Sequence, residues 1–224
     1  LYNRDCTSQR RHQKLIEEGP APSVSTEIRD SVCESAAELI RQAEYSGAAT
    51  VEFLMNEKQE FFMLEVNTRV QVEHPVSEMI TGVDIVKESI KVAAGEPLSW
   101  TQDQIILNGH AIECRINAED TSNNFLPQPG TIETWQIPGG PGVRVETHVR
   151  QGYQIPPNYD SMIGKLIVHG RNRHEAITRM RCALGEFKVG PIATTIPLLQ
   201  RLLNHHSFVS ANFDINWVER LLEE

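Results

Sequence analysis

The chain has 224 residues, 40% hydrophobic and 23% charged, which excludes a disordered or fibrous protein and allows one large domain or two small ones. Its 21 basic and 30 acidic side chains leave a net charge of −9, a poor balance for a nucleic-acid binder. No apolar run reaches the ~20 residues of a membrane helix, and Cys6, Cys33, Cys114 and Cys182 lack the spacing of a disulfide scaffold or zinc knuckle, so a cytoplasmic protein is expected.

The first fourteen residues, an expected strand and loop, set Arg4, Arg10, Arg11 and Lys14 against Asp5. This basic stretch lies in a half (1–108) that holds 10 basic and 18 acidic groups. It suits an anion, or is a solvated face. After the break at Gly19-Pro20-Ala21-Pro22, the spacing of Ile28, Val32, Ala36, Leu39, Ile40 and Ala43 predicts a helix over 26–44. Two strand-like runs, Thr50–Met55 and Phe61–Asn67, predict a hairpin around a five-residue loop. A helix is expected from about 76 to 94, stopped by Gly95 and Pro97. Residues 98–109 read as a connector.

Beyond Gly109 the texture becomes short β-runs at 110–117, 131–137, 143–149 and 165–169, separated by turns such as Gly139-Gly140-Pro141-Gly142. Helical patterns close the chain at about 174–187, 195–204 and 214–222. The organisation is α+β, two units with a boundary near 98–110.

The stretch from Leu64 to Pro75 carries the most chemistry. If it is extended, Glu65, Asn67, Arg69, Gln71 and Glu73 share one face and Val66, Val70 and Val72 the other. Glu52, between Val51 and Phe53, is a charge in an apolar context, costly unless paired or metal-bound. Pairing the hairpin around 56–60 brings Glu52 near Glu65, and two adjacent carboxylates favour a cation between them. Mg²⁺ takes a few carboxylate oxygens and leaves room for phosphate. A magnesium–nucleotide platform and a partly exposed hairpin with fortuitous acids both satisfy this spacing. Walker A and GxGxxG loops are absent, and His205-His206 has no partner at metal spacing.

These residues resemble a known family. The runs Arg4–Lys14, Glu65–Pro75, His110–Asp120 and Tyr159–Leu166 closely resemble biotin carboxylase, the ATP-grasp component of the biotin-dependent carboxylases. The resemblance implies the C-terminal part of an ATP-grasp domain (1–98) followed by a biotin carboxylase C-terminal domain (109–224), an antiparallel sheet with helices. It implies Glu52, Glu65 and Asn67 as ligands of two Mg²⁺ or Mn²⁺ ions that bridge ATP phosphates. Lys14, Arg69, Gln71 and the backbone of Val72 fall at the bicarbonate site. Arg69 is the implied catalytic arginine, Glu73 the base for bicarbonate, and Arg115 the holder of the biotin ureido oxygen. Gln9 and His12 fall near the nucleotide, Ile215 over its adenine, and Arg144 and Asp160 at a subunit interface.

The implied reaction is ATP- and bicarbonate-dependent carboxylation of biotin through carboxyphosphate. The implied partners are biotin carboxyl carrier protein, a carboxyltransferase component and a second copy in a homodimer, with acetyl-CoA carboxylase as one such assembly. The family's N-terminal domain, its nucleotide lid and the first half of its ATP-grasp domain have no counterpart here, so the chain reads as a C-terminal half, impaired by itself. A non-catalytic assembly module and another ATP-grasp ligase are the rival readings. Asn3 stands where the family leads one to expect glutamate.

Overall fold

The computed structural model describes residues 1–223. The chain opens with a hairpin, β1 (Asp5–Arg10) and β2 (Gln13–Gly19), and continues through α1 (Thr26–Gln42) and a second hairpin, β3 (Thr50–Met55) and β4 (Phe61–Asn67). Helices α2 (His74–Thr81) and α3 (Ile85–Ala93) follow, then strand β5 (His110–Asn117). Short strands come next: β6 (Glu119–Asp120), β7 (Leu126–Pro127), β8 (Gly130–Thr131), β9 (Thr134–Gln136), β10 (Val143–Glu146) and β11 (Gln154–Ile155). The long β12 (Met162–Gly170), α4 (Arg173–Glu186), β13 (Lys188–Gly190), α5 (Ile196–Asn204), α6 (His206–Val209) and α7 (Trp217–Glu223) complete the α+β fold.

One antiparallel sheet, in the order β1-β2-β5-β12-β10, organises the molecule. It takes strands from both sides of the connector at 98–109, because β2 pairs with β5 through Glu17↔Glu113 and Glu18↔Ile112. Alternation along β5 gives the sheet two different faces. Ile112, Cys114 and Ile116 point into the main core with Leu166, Val168, Ala176, Met180 and Leu199. Ala111 points the other way, against Val76 and Ile80 of α2, so Glu113 and Arg115 follow it to the α2 side. Each fully buried Ile, Leu or Met contributes about 1.5–3 kcal/mol, so the α4–α5 face carries most of the burial and the α2 face is free to hold charge.

Several expectations change. The helix expected over 76–94 is two helices. Gly82 adopts a left-handed φ of 74° and ends α2, and Asp84 starts α3 by accepting from Lys87 N at 2.8 Å. The strand expected in the first fourteen residues forms as β1, but in place of a loop it ends in a two-residue hairpin turn into β2, with Arg11 and His12 both at positive φ (47° and 64°). The apolar stripe of α1 buries no residue, and Phe62, Met63 and Leu64 on β4 are exposed. No helix among the described residues is long and apolar enough to cross a membrane.

Candidate functional site

The hairpin β3–β4 forms as its spacing predicts, and its register places Glu52 and Glu65 as direct Cα partners. The expected polar strand does not continue. β4 ends at Asn67, and the chain turns so that Gln71 O meets His74 Nδ1 at 2.7 Å. Gln71 and Glu73 therefore enter the site from a turn and from the head of α2, not from a shared strand face. Pro75 in the first turn of α2 helps fix that start, since it has no N–H to leave unpaired.

Lys14 is the centre of the arrangement. Its Nζ donates to Glu52 Oε1 at 2.9 Å and to Glu73 Oε1 at 2.7 Å. Gln71 Nε2 donates to the same Glu52 oxygen at 2.6 Å, and Gln71 Oε1 accepts from Arg4 Nη2 at 2.9 Å. Glu73 is 2% exposed, and its Oε2 accepts from Arg115 Nη2 at 3.2 Å. Arg115 also donates from Nε to Glu17 Oε1 at 2.6 Å. Residues from β2, β3, β5 and the head of α2 thus meet in one hydrogen-bonded cluster.

The electrostatics follow from these contacts. Burial acts to raise the Glu73 carboxyl, but Arg4 and Lys14 outweigh it and hold Glu73 below the usual carboxylate range. Burial acts to lower the Lys14 ammonium, yet its acidic surroundings, Glu52 and Glu73 among them, raise it. The Arg115 guanidinium is likewise raised by Glu17 against the effect of burial. Both ends of the Lys14–Glu73 pair are charged at neutral pH.

Asn67 Nδ2 donates to Glu65 Oε1 at 2.8 Å and to Glu52 Oε1 at 3.3 Å. An amide N–H₂ between two carboxylates occupies the place that a cation favours, and reversing the amide offers Oδ1 instead. Two facing carboxylates and one amide oxygen are hard donors that fit Mg²⁺ or Mn²⁺. Arg69 is exposed and joins this group by donating to Asn67 Oδ1 at 3.2 Å, and it also donates to Val70 O at 3.4 Å.

Other expected residues lie further out. Gln9 is the Cα partner of Lys14, and its Nε2 donates to Cys6 O at 3.5 Å. His12 is exposed in the β1–β2 turn, which α7 reaches through Arg11 N donating to Glu219 Oε1 at 2.9 Å. Ile215, 43% exposed, precedes α7. No hydrogen bond among the described residues joins His12 to the Lys14 cluster. Val72 O accepts from Lys165 Nζ at 2.7 Å. Asp160 is exposed and accepts from Met162 N at 2.8 Å. Arg144 donates to Glu78 Oε2 at 2.8 Å and to Glu146. His74, Glu78 and Glu146 bring ligand atoms within 4.8 Å of one another, but Arg144 and Lys165 already neutralise those two acids.

The sequence gives Arg4, Glu113 and Lys165 only as members of a charge count or of the resembling runs, with no role, and it does not single out Glu17. The argument that singled out Glu52, a charge amid apolar neighbours, applies equally to Glu17 after Leu15-Ile16 and to Glu113 between Ile112 and Cys114.

Two family models match: the carbamoyl-phosphate synthase L chain, ATP binding domain, over residues 1–101, and the biotin carboxylase C-terminal domain over 113–220. Biotin carboxylase of Nostoc sp. is 49% identical over 221 residues, which is 99% of this chain and 49% of that protein. Biotin carboxylase 1 of Bacillus subtilis is 50% identical over 220 residues, 98% of this chain and 49% of that one. Among solved structures, the biotin carboxylase domain dimer of Hydrogenobacter thermophilus 2-oxoglutarate carboxylase, in complex with MgADP, ADP and bicarbonate, matches with a TM-score of 0.94 and 46% identity. That match covers 97% of this chain and 48% of the other. The chain spans about half the length of the curated relatives it matches. Identity of this extent, a shared antiparallel α+β fold and matching models on both sides of the connector lead to one conclusion: the chain belongs to the biotin carboxylase family.

Proposed function

We propose that this chain supplies the metal, bicarbonate and biotin residues of a biotin carboxylase, which carboxylates biotin on a carrier protein at the expense of ATP. The observation that carries the reading is the closed set Lys14–Glu52–Gln71–Glu73–Arg115, in which cations and carboxylates from separate elements converge. Residues 1–98 provide the ATP-grasp portion and residues 109–224 the C-terminal domain, which contributes Arg115.

Bicarbonate attack on the γ-phosphate brings two anions together, so fixed positive charge must lower the barrier. Glu52, Glu65 and Asn67 would hold Mg²⁺ or Mn²⁺, which would supply positive charge against that of the phosphates. Arg69 grips bicarbonate in bidentate fashion, as a planar guanidinium can and an ammonium cannot. Lys14, Gln71 and the Val72 backbone complete that anion site. Glu73, ionised at neutral pH, accepts the bicarbonate proton. The carboxyphosphate so formed releases CO₂ and phosphate, and the phosphate takes the proton from biotin N1′. Arg115 stabilises the negative charge that develops on the ureido oxygen. Gln9, His12 and Ile215 line the nucleotide side.

The partners of this reading are biotin carboxyl carrier protein, a carboxyltransferase component and a second copy of the chain, with Arg144 and Asp160 at the dimer contact, in the cytoplasm. Acetyl-CoA carboxylase is one assembly this serves. The MgADP and bicarbonate bound by the 2-oxoglutarate carboxylase relative, which is a dimer, support the nucleotide, metal and bicarbonate assignments. The test is bicarbonate- and biotin-dependent phosphate release from Mg·ATP by the protein that carries this sequence. Arg69→Ala is expected to lower that rate by about 10²-fold or more; near-normal turnover overturns the proposal.

A further inference from the structure

Behind Arg115 the sheet holds two carboxyls that the chemistry above does not use. Glu17 of β2 and Glu113 of β5 are Cα partners, and neither has exposed surface. Glu17 Oε1 is taken by Arg115. Glu17 Oε2 and both oxygens of Glu113 have no hydrogen-bond partner among the described residues. Three buried orphan oxygens on adjacent strands need an account, since buried polar atoms are almost always paired.

The surrounding groups do not supply it. Lys165, on the next strand, points its Nζ to Val72 O at 2.7 Å and to Glu146 Oε2 at 2.7 Å. Arg115, on the same strand as Glu113, is committed to Glu17 and Glu73. Helix α2, packed on this face, carries Glu73 at its head and then His74 and Glu78, the last held by Arg144. No cation pairs with Glu113 among the described residues. Two ionised carboxylates side by side repel, and burial penalises each of them. One proton between them turns one orphan oxygen into a donor and another into its acceptor.

We propose that Glu17 and Glu113 share a single proton at neutral pH, with the negative charge kept on Glu17 facing Arg115, and that Glu113 is thereby a positioning residue for Arg115. Burial and the neighbouring Glu17 charge push the Glu113 carboxyl well up, in the direction this requires. The guanidinium is then braced by one carboxylate behind it and by Glu73 beside it. The functional half of this inference rests on the reading of Arg115 as the holder of the biotin ureido oxygen.

Isotope-edited infrared spectroscopy of the chain with ¹³C-labelled glutamate tests the proton directly and needs no activity. A protonated carboxyl band at neutral pH is expected, and it disappears in Glu113→Gln. In the protein that performs biotin-dependent ATP cleavage, Glu113→Leu keeps the volume but removes the donor, and the KM for biotin is expected to rise about tenfold. Glu113→Gln, which donates an N–H to Glu17 and cannot ionise, restores that KM. A purely structural acid gives Leu and Gln the same KM. Absence of the band, or a normal KM in Glu113→Leu, overturns the proposal. The band together with wild-type protein that shows no biotin-dependent turnover supports the shared proton and counts instead against the assigned reaction.

Discussion

Lys14 Nζ and Glu73 Oε1 meet at 2.7 Å across 59 residues, joining the second strand of the central sheet to the head of α2. Glu73 is almost wholly buried, so this ion pair holds the head of α2 at a fixed place on the sheet. Lys14→Met keeps the aliphatic stem and removes the charge. Among the described residues, Glu73 is then left with Arg115 at 3.2 Å as its one cationic hydrogen-bond partner. Losing one partner of a buried pair costs about 3–5 kcal/mol, and the remaining arginine brings the expected loss to about 3 kcal/mol. Urea denaturation measures it, and an unchanged midpoint would show that the pair does not anchor α2.

Glu73 and Glu113 make opposite contributions to stability as pH changes. The folded-state pKa of Glu73 lies below its unfolded value, so its stabilisation is complete above the usual carboxylate pKa of about 4.3 and is lost as pH falls through the folded value. Glu113 is raised by burial and by Glu17, so the folded chain keeps a proton that the unfolded chain releases. Its stabilisation is present below about 4.3 and declines as pH rises towards the folded value. Glu113→Gln is therefore expected to gain stability over the parent as pH rises from about 5 to about 8. Glu73→Gln is expected to lose its deficit as pH falls through the folded pKa of Glu73. Denaturation curves at several pH values check both, and a constant difference between Glu113→Gln and the parent contradicts the assignment.

The hairpin, the helices at either end and the strand at 110–117 were legible in the sequence because each is set by local spacing and turn chemistry. The convergence on Lys14 was legible only through the resemblance. Glu52 and Glu65 follow from hairpin register, but Gln71 and Glu73 reach the site because the chain leaves the strand after Asn67, a change that a period-two pattern conceals. The apolar spacing of 76–94 likewise runs through Gly82, where a left-handed residue divides it into two helices. Glu17 and Glu113 acquire their meaning from strand pairing across 96 residues (113 − 17), which no local window contains.

Gly19 sets how closely α2 approaches the sheet. A Cβ at this position meets Val76 Cγ1 at 2.8 Å and Ile80 Cδ1 at 3.4 Å, and both side chains are fully buried. Gly19→Ala is expected to destabilise the fold by about 1–3 kcal/mol through overpacking. Val76→Ala in the same chain removes the obstructing methyl, so the double variant should lose less than the sum of the two single changes. Simple additivity in a double-mutant cycle would indicate that α2 moves aside instead.

The proposed binding of a metal at Glu52, Glu65 and Asn67 would compete with the internal cation. Lys14 Nζ already sits 2.9 Å from Glu52 Oε1, so a divalent ion must share or displace that contact. Electron paramagnetic resonance of free Mn²⁺ titrated with the chain reads the competition without any turnover. Glu65→Gln is expected to weaken Mn²⁺ binding by at least the 10–100-fold that losing even an outer-shell partner costs, since a carboxylate ligand is lost outright. Glu60→Gln, in the exposed turn of the same hairpin, serves as the control for net charge. Lys14→Met has the opposite sign: it frees Glu52 from its ammonium partner, lowers the local positive charge and should tighten Mn²⁺ binding. Equal affinities for the parent, Glu65→Gln and Glu60→Gln would remove the metal from this hairpin. Unchanged affinity in Lys14→Met would mean that the ion and the ammonium use different oxygens of Glu52.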